Sequence, residues 1–141
     1  MTAKQIELVQ QSWELVKPIA KEAGQLFYLH LFTTAPQIRH LFKDDISEQA
    51  AKLVRMLTYI VSMLKRLNDL GPDIERLAAA HNGYGAKPEY YDIVGACLIK
   101  TLQAGLDKAW NEELADAWVA VYTTLKEAMI NAQIKHSAAA A

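Results

Sequence analysis

The sequence predicts an all-α domain of about six to eight helices, and three observations predict it. Apolar residues recur at helical spacing along almost the whole chain, which gathers them on one face of each segment. No stretch sustains the two-residue alternation of a half-buried strand. Prolines and several glycines punctuate the chain between the apolar stripes, where they can open and close helices.

Taken in order, Ile6, Val9, Trp13 and Val16 make the first stripe, with Thr2 placed to cap its start. Pro18 is expected to open a second helix that carries Leu26, Phe27 and Leu31 as far as Ala35. Pro36 then starts a short helical turn over 37–42, and Lys43-Asp44-Asp45 reads as a polar turn. Ser47 is a plausible cap for one long segment whose stripe is Leu53, Leu57, Ile60, Val61, Leu64 and Leu67. Gly71-Pro72 ends that segment and starts the helix bearing Leu77, Ala78 and His81. Asn82-Gly83-Tyr84-Gly85 breaks it, and Pro88 opens the next, whose core face is Ile93, Val94, Cys97, Leu98 and Leu102. A last helix from about Asn111 buries Leu114, Trp118, Val121, Leu125 and Met129. Unequal lengths, with one very short element, suit steep helix crossings that leave a pocket better than a simple four-helix bundle.

With 141 residues the chain reads as one domain over 1–135, followed by a flexible low-complexity tail over 136–141. Hydrophobic residues make up 52% and charged residues 22%, enough for a substantial buried core. A formal net charge of −1 gives no reason to expect a nucleic acid or a membrane surface as partner. The single cysteine, Cys97, can form neither an internal disulfide nor a cysteine-rich zinc site, which fits a cytoplasmic location. The first residues lead straight into an amphipathic pattern, so no secretory leader is expected, and the apolar runs are too short to span a membrane.

Three polar residues on apolar helical segments carry the candidate chemistry. His81 follows Ile74, Leu77 and Ala78 at helical spacing, so its ring should face inward. Taken alone it reads as a core histidine bonded to a backbone carbonyl. The chain break just after it offers free carbonyls for one ring nitrogen, leaving the other for a ligand. Tyr28 alone reads as a half-buried tyrosine, and Gln49, early in its helix, as a solvated one. Together they suit a different role. Iron in a flat apolar cofactor would take the imidazole lone pair, and an O–H with an amide N–H could address a gas molecule on the opposite face. Zinc-ligand spacings, phosphate-binding glycine loops and nucleophile triads are absent from the sequence.

These residues, with their neighbours, resemble the globin family over residues 4–133, above all bacterial single-domain haemoglobins and the globin domain of flavohaemoglobins. Trp13 in Gln11-Ser12-Trp13 looks like the globin first helix, and Phe27-Tyr28 with Leu31-Phe32 like the second. Pro36 with Leu41-Phe42 resembles the proline and haem-wedging phenylalanine of globins. Gln49 and Leu53 match a distal glutamine and leucine, and His81 matches the proximal ligand. Lys87-Pro88-Glu89-Tyr90-Tyr91-Asp92-Ile93-Val94-Gly95 is very close to the family's next segment, and Asp116-Ala117-Trp118 with Tyr122 to its last helix. The resemblance implies a globin fold around haem b, with iron on His81, and Phe42, Leu53 and Tyr91 beside the cofactor. It implies Tyr28 and Gln49 as distal ligand-binding residues, and O2, NO and CO as ligands. In flavohaemoglobins a glutamate of the last helix joins the tyrosine matching Tyr91; the position here is Gln133, whose neutral amide implies a weaker electron push.

The first expectation is therefore a binding protein that reversibly holds O2 at five-coordinate ferrous iron. The alternative is a nitric oxide dioxygenase that makes nitrate with the help of a separate reductase. A third reading, a haem-free interaction module, has no need of the Tyr28, Gln49 and His81 set.

Overall fold

Helix α1 (Ala3–Val16) begins where the sequence places its cap. Thr2 Oγ1 accepts from the Gln5 amide at 3.1 Å, and Gln5 Oε1 accepts from the Thr2 amide at 2.9 Å. This reciprocal box satisfies N–H groups that the first turn leaves without helical partners. In the computed structural model five more α-helices follow among the described residues: α2 (Ala20–Thr34), α3 (Ser47–Ser62), α4 (Gly71–Gly83), α5 (Tyr90–Leu106) and α6 (Glu112–Ala140). Tight 3-10 turns occupy Lys17–Ile19, Pro36–Leu41, Leu64–Leu70 and Asp107–Ala109. The structure describes residues 1–83, 87 and 89–140, with side chains except at 82–83 and 136–140. The expected break at Tyr84 and Gly85 and the expected helix start at Pro88 lie outside the described residues.

Several boundaries differ from the sequence reading, each for a local reason. Pro18 sits in a 3-10 turn, and α2 starts after it at Ala20. Ser47 is the first residue of α3 rather than its cap: its amide donates to Asp45 Oδ1 at 2.9 Å. Those bonds from Ser47 hold the Asp45 carboxyl below its usual value. The stripe expected as one long helix breaks at Met63, whose amide is shared between Tyr59 O and Ile60 O. Leu64, Leu67 and Leu70 stay on the core side across the break, and the backbone kinks again between them at Arg66 (φ −125°, ψ 42°). Asn111 caps α6 through the Leu114 amide (2.8 Å), and α6 runs on to Ala140, through the alanine-rich stretch read as a separate tail.

The principal packing pairs are α4 with α6, α2 with α5, α1 with α6 and α2 with α3. Trp13 and Trp118 meet at the α1–α6 contact, ring centroids 5.9 Å apart. Both indole N–H groups are satisfied, Trp118 by Ser12 Oγ at 2.9 Å and Trp13 by Thr58 Oγ1 at 3.0 Å. Helices α3 and α4 do not pack along each other. Their contact includes Tyr59 O–H donating to Asp73 at 3.0 Å, near the turn that joins them. No helix among the described residues is long and apolar enough to cross a membrane.

Two glycines set how closely helices approach. A Cβ on Gly24 of α2 would stand 3.2 Å from the Ala50 carbonyl oxygen of α3. On Gly95 of α5 it would stand 2.6 Å from the Tyr122 ring of α6. Gly95→Ala is therefore expected to displace that ring and cost about 1–3 kcal/mol of stability in a denaturant titration. An unchanged midpoint would mean the α5–α6 contact yields without strain.

Candidate functional site

Tyr28 lies on the inward face of α2 with Gly24, Phe27 and Leu31, and is 4% exposed. Burial raises the pKa of its phenol, a shift opposed by a hydrogen bond with the Gln49 side chain. The close α2–α3 crossing explains that bond. Gly24 is one turn before Tyr28, Ala50 is next to Gln49, and the missing Cβ brings the first turn of α3 within reach. Gln49, a solvated residue on its own sequence context, is thus half-buried and paired with Tyr28.

Phe42 follows the 3-10 turn and packs its ring on Tyr28 (5.6 Å, 65°) and on Phe32 (5.2 Å, 63°). Phe32 in turn lies 5.7 Å from Tyr28. Leu53, one turn beyond Gln49, is half-buried and borders an apolar cavity of about 20 Å³ with Gly24, Phe27, Val54 and Leu57. Tyr28, Phe42 and Gln49 thus come from α2, α3 and the turn between them to one neighbourhood, with Leu53 one turn further along α3.

His81 stands near the end of α4, half-buried, with Nδ1 2.7 Å from Leu77 O. A carbonyl can only accept, so in the neutral ring Nδ1 carries the proton and Nε2 the lone pair. This acceptor is one turn upstream of His81, within α4. Beside His81 lies Tyr91 of α5, ring centroids 6.3 Å apart and planes within 24°. Tyr91 O–H donates to Gln133 Oε1 of α6 at 2.9 Å, and Tyr122 O–H donates to Tyr91 O at 2.7 Å. Gln133 is 3% exposed, so the amide sits in the core beside Tyr91. Burial raises the Tyr91 pKa; burial, then Tyr91, Asp92 and Cys97, hold Tyr122 far above the usual tyrosine range. Both phenols stay protonated.

These residues fit the haem that the sequence implies. His81 offers a nitrogen lone pair of defined tautomer, the donor haem iron takes. Phe42 and Leu53 are half-buried apolar side chains of the kind a flat apolar group covers, and α3 and α4, which bear Gln49 and His81, have their main partners elsewhere. Lys52 and His40 are exposed, while His30 is half-buried on α2. Arg39 escaped the sequence reading altogether. An arginine shortly before a polar turn is too common to single out.

Known proteins share this architecture. The Globin family model matches residues 25–129. A flavohemoprotein of Vibrio cholerae is 25% identical over 134 residues, which are 93% of this chain and 34% of that protein. The chain thus spans about a third of the length of the flavohemoproteins it matches. An uncharacterized globin-like protein of Aquifex aeolicus is 27% identical over 96% of both chains. Among solved structures, a bacterial globin from Campylobacter jejuni superposes with a TM-score of 0.86 at 22% identity, covering 96% of this chain and 99% of that one. An engineered carbene transferase made from a Rhodothermus marinus protein, itself proposed to be a nitric oxide dioxygenase, gives a TM-score of 0.87 at 22% identity, over 99% and 97%. With its helices in globin order and the family model covering most of its length, the chain belongs to the globin family.

Proposed function

We propose that the chain binds haem b through His81 and holds a diatomic gas, O2 first, reversibly, with Tyr28 and Gln49 as its hydrogen-bond donors. The observation that carries this reading is a buried Tyr28 phenol, packed against the Phe42 ring, with the half-buried Gln49 amide close enough to act on its hydroxyl. Ferrous haem, when bound, supplies the coordination of O2, NO or CO and shifts electron density toward O2. The protein supplies the rest. Burial keeps the Tyr28 hydroxyl protonated, so it is a donor at neutral pH, and donors to a partly negative ligand make the stronger class of hydrogen bond. Phe42 and Leu53 keep the neighbourhood apolar and exclude water.

On the other side, the His81 proton is held by the Leu77 carbonyl, and Tyr91 is held by the Gln133 amide. The partner of Tyr91 is a neutral amide where a carboxylate would lend the imidazole anionic character through that network. That favours holding a ligand over oxidative turnover. A second reading, nitric oxide dioxygenase with a separate reductase, has in its favour the Tyr28–Gln49 pair and the likeness to the Rhodothermus marinus protein. Conversion of NO and O2 to nitrate consumes one electron per cycle, so the readings separate on stoichiometry. With O2, NADH and a bacterial reductase extract present, the haem-loaded protein is expected to consume NO once per haem. Sustained consumption would establish the enzyme instead.

A further inference from the structure

We propose that Arg39 is a positioning residue for the Tyr28–Gln49 pair, acting through segment 42–44 and the Phe32 and Phe42 rings; the inference rests on the distal reading above. Arg39 lies in the 3-10 turn after α2 and is half-buried. Its guanidinium is spread over three successive carbonyls. Nη1 donates to Lys43 O at 2.9 Å and to Phe42 O at 3.4 Å, and Nη2 donates to Asp44 O at 2.8 Å. The same group lies over the Phe32 ring, 4.6 Å from its centroid. Among the described residues Arg39 pairs with no carboxylate, so its contacts organise backbone and ring rather than balance charge.

Segment 42–46 needs such an anchor. It belongs to no helix, and Phe42 is extended (φ −120°, ψ 155°), so the Phe42, Lys43 and Asp44 carbonyls lack a ladder to hold them. Arg39 supplies donors from a planar fork that a lysine cannot reproduce. What the segment carries makes the anchor consequential. Phe42 at its start and Phe32 under the guanidinium both pack on the Tyr28 ring. Asp45 and Ser47 at its end start α3, whose first turn presents Gln49. One side chain therefore fixes the ring cluster around the hydroxyl and the approach of the helix bearing the amide. Freed from it, segment 42–46 and Phe42 gain room to shift, and the aim of both donors loosens.

The test uses the haem-loaded protein and its Arg39→Ala, Arg39→Lys, Tyr28→Phe and Tyr28→Phe/Arg39→Ala variants. The readouts are the O2 dissociation rate, the infrared C–O stretch under carbon monoxide, and amide hydrogen exchange over 43–46 in the haem-free chain. Both Arg39 variants are expected to raise the O2 dissociation rate roughly 3- to 30-fold, within the roughly 2- to 150-fold range of coupling between residues that share partners. They should also move the C–O stretch toward that of Tyr28→Phe and speed exchange over 43–46. In the Tyr28→Phe background, Arg39→Ala should add less than about twofold, because its effect passes through Tyr28. A full multiplicative effect in that background would overturn the inference. So would an unchanged rate and stretch in Arg39→Lys while Tyr28→Phe moves both. If Tyr28→Phe itself moves neither, the distal reading fails first and the inference falls with it.

Discussion

His81→Ala is expected to abolish stable haem uptake. The substitution removes the ring whose Nε2 lone pair is set by the Nδ1 bond to Leu77 O. What remains for haem is apolar contact with Phe42 and Leu53, which does not discriminate iron from any flat apolar group. Loss of a mere supporting partner of a metal ligand weakens binding about 10- to 100-fold, so loss of the ligand itself should exceed about 100-fold. The fold should survive, because His81 is half-buried and the core around Trp13 and Trp118 does not involve it. Titration of the haem-free variant with haem, followed by visible absorbance beside helical content, checks both halves. Normal uptake by a folded variant would refute the proximal assignment.

Tyr28→Phe carries the second large effect. The variant keeps the ring that packs on Phe42 and Phe32 and removes only the hydroxyl bonded to Gln49. Losing one donor to a polarised ligand costs roughly 1–3 kcal/mol, so O2 should leave about 5- to 150-fold faster. Association should change little, since the apolar surroundings are conserved. Stopped-flow displacement of O2 by carbon monoxide measures the rate directly, and a value equal to that of the parent protein would remove Tyr28 from the mechanism.

How much of this was legible in the sequence depended on how far apart the cause lay. The first stripe needed only helical spacing, and Val9, Trp13 and Val16 are all buried; Thr2 needed only the glutamine three residues on. His81 and Tyr28 were visible as polar groups on apolar faces. The break after Ser62 was hidden because a 3-10 turn and an α-helix share a near-three-residue step, so Leu64 and Leu67 extend the stripe equally well in either. Ser47 begins α3 with its amide bonded to Asp45 instead of capping it, through geometry that a residue pattern does not encode. Gln49 could be assigned to Tyr28 only through resemblance, because their meeting depends on the α2–α3 crossing at Gly24. Arg39 had no pattern at all, since its partners are carbonyls, which every residue possesses.

The most direct test of the central claim is the visible absorption spectrum of the chain after haem is supplied, recorded oxidised, reduced with dithionite, and then exposed to O2. The account predicts a strong Soret band, a five-coordinate reduced spectrum, and a persistent change on O2 that reverses when the gas is removed. A chain that develops no Soret band, or whose reduced form is six-coordinate and indifferent to O2, would contradict it.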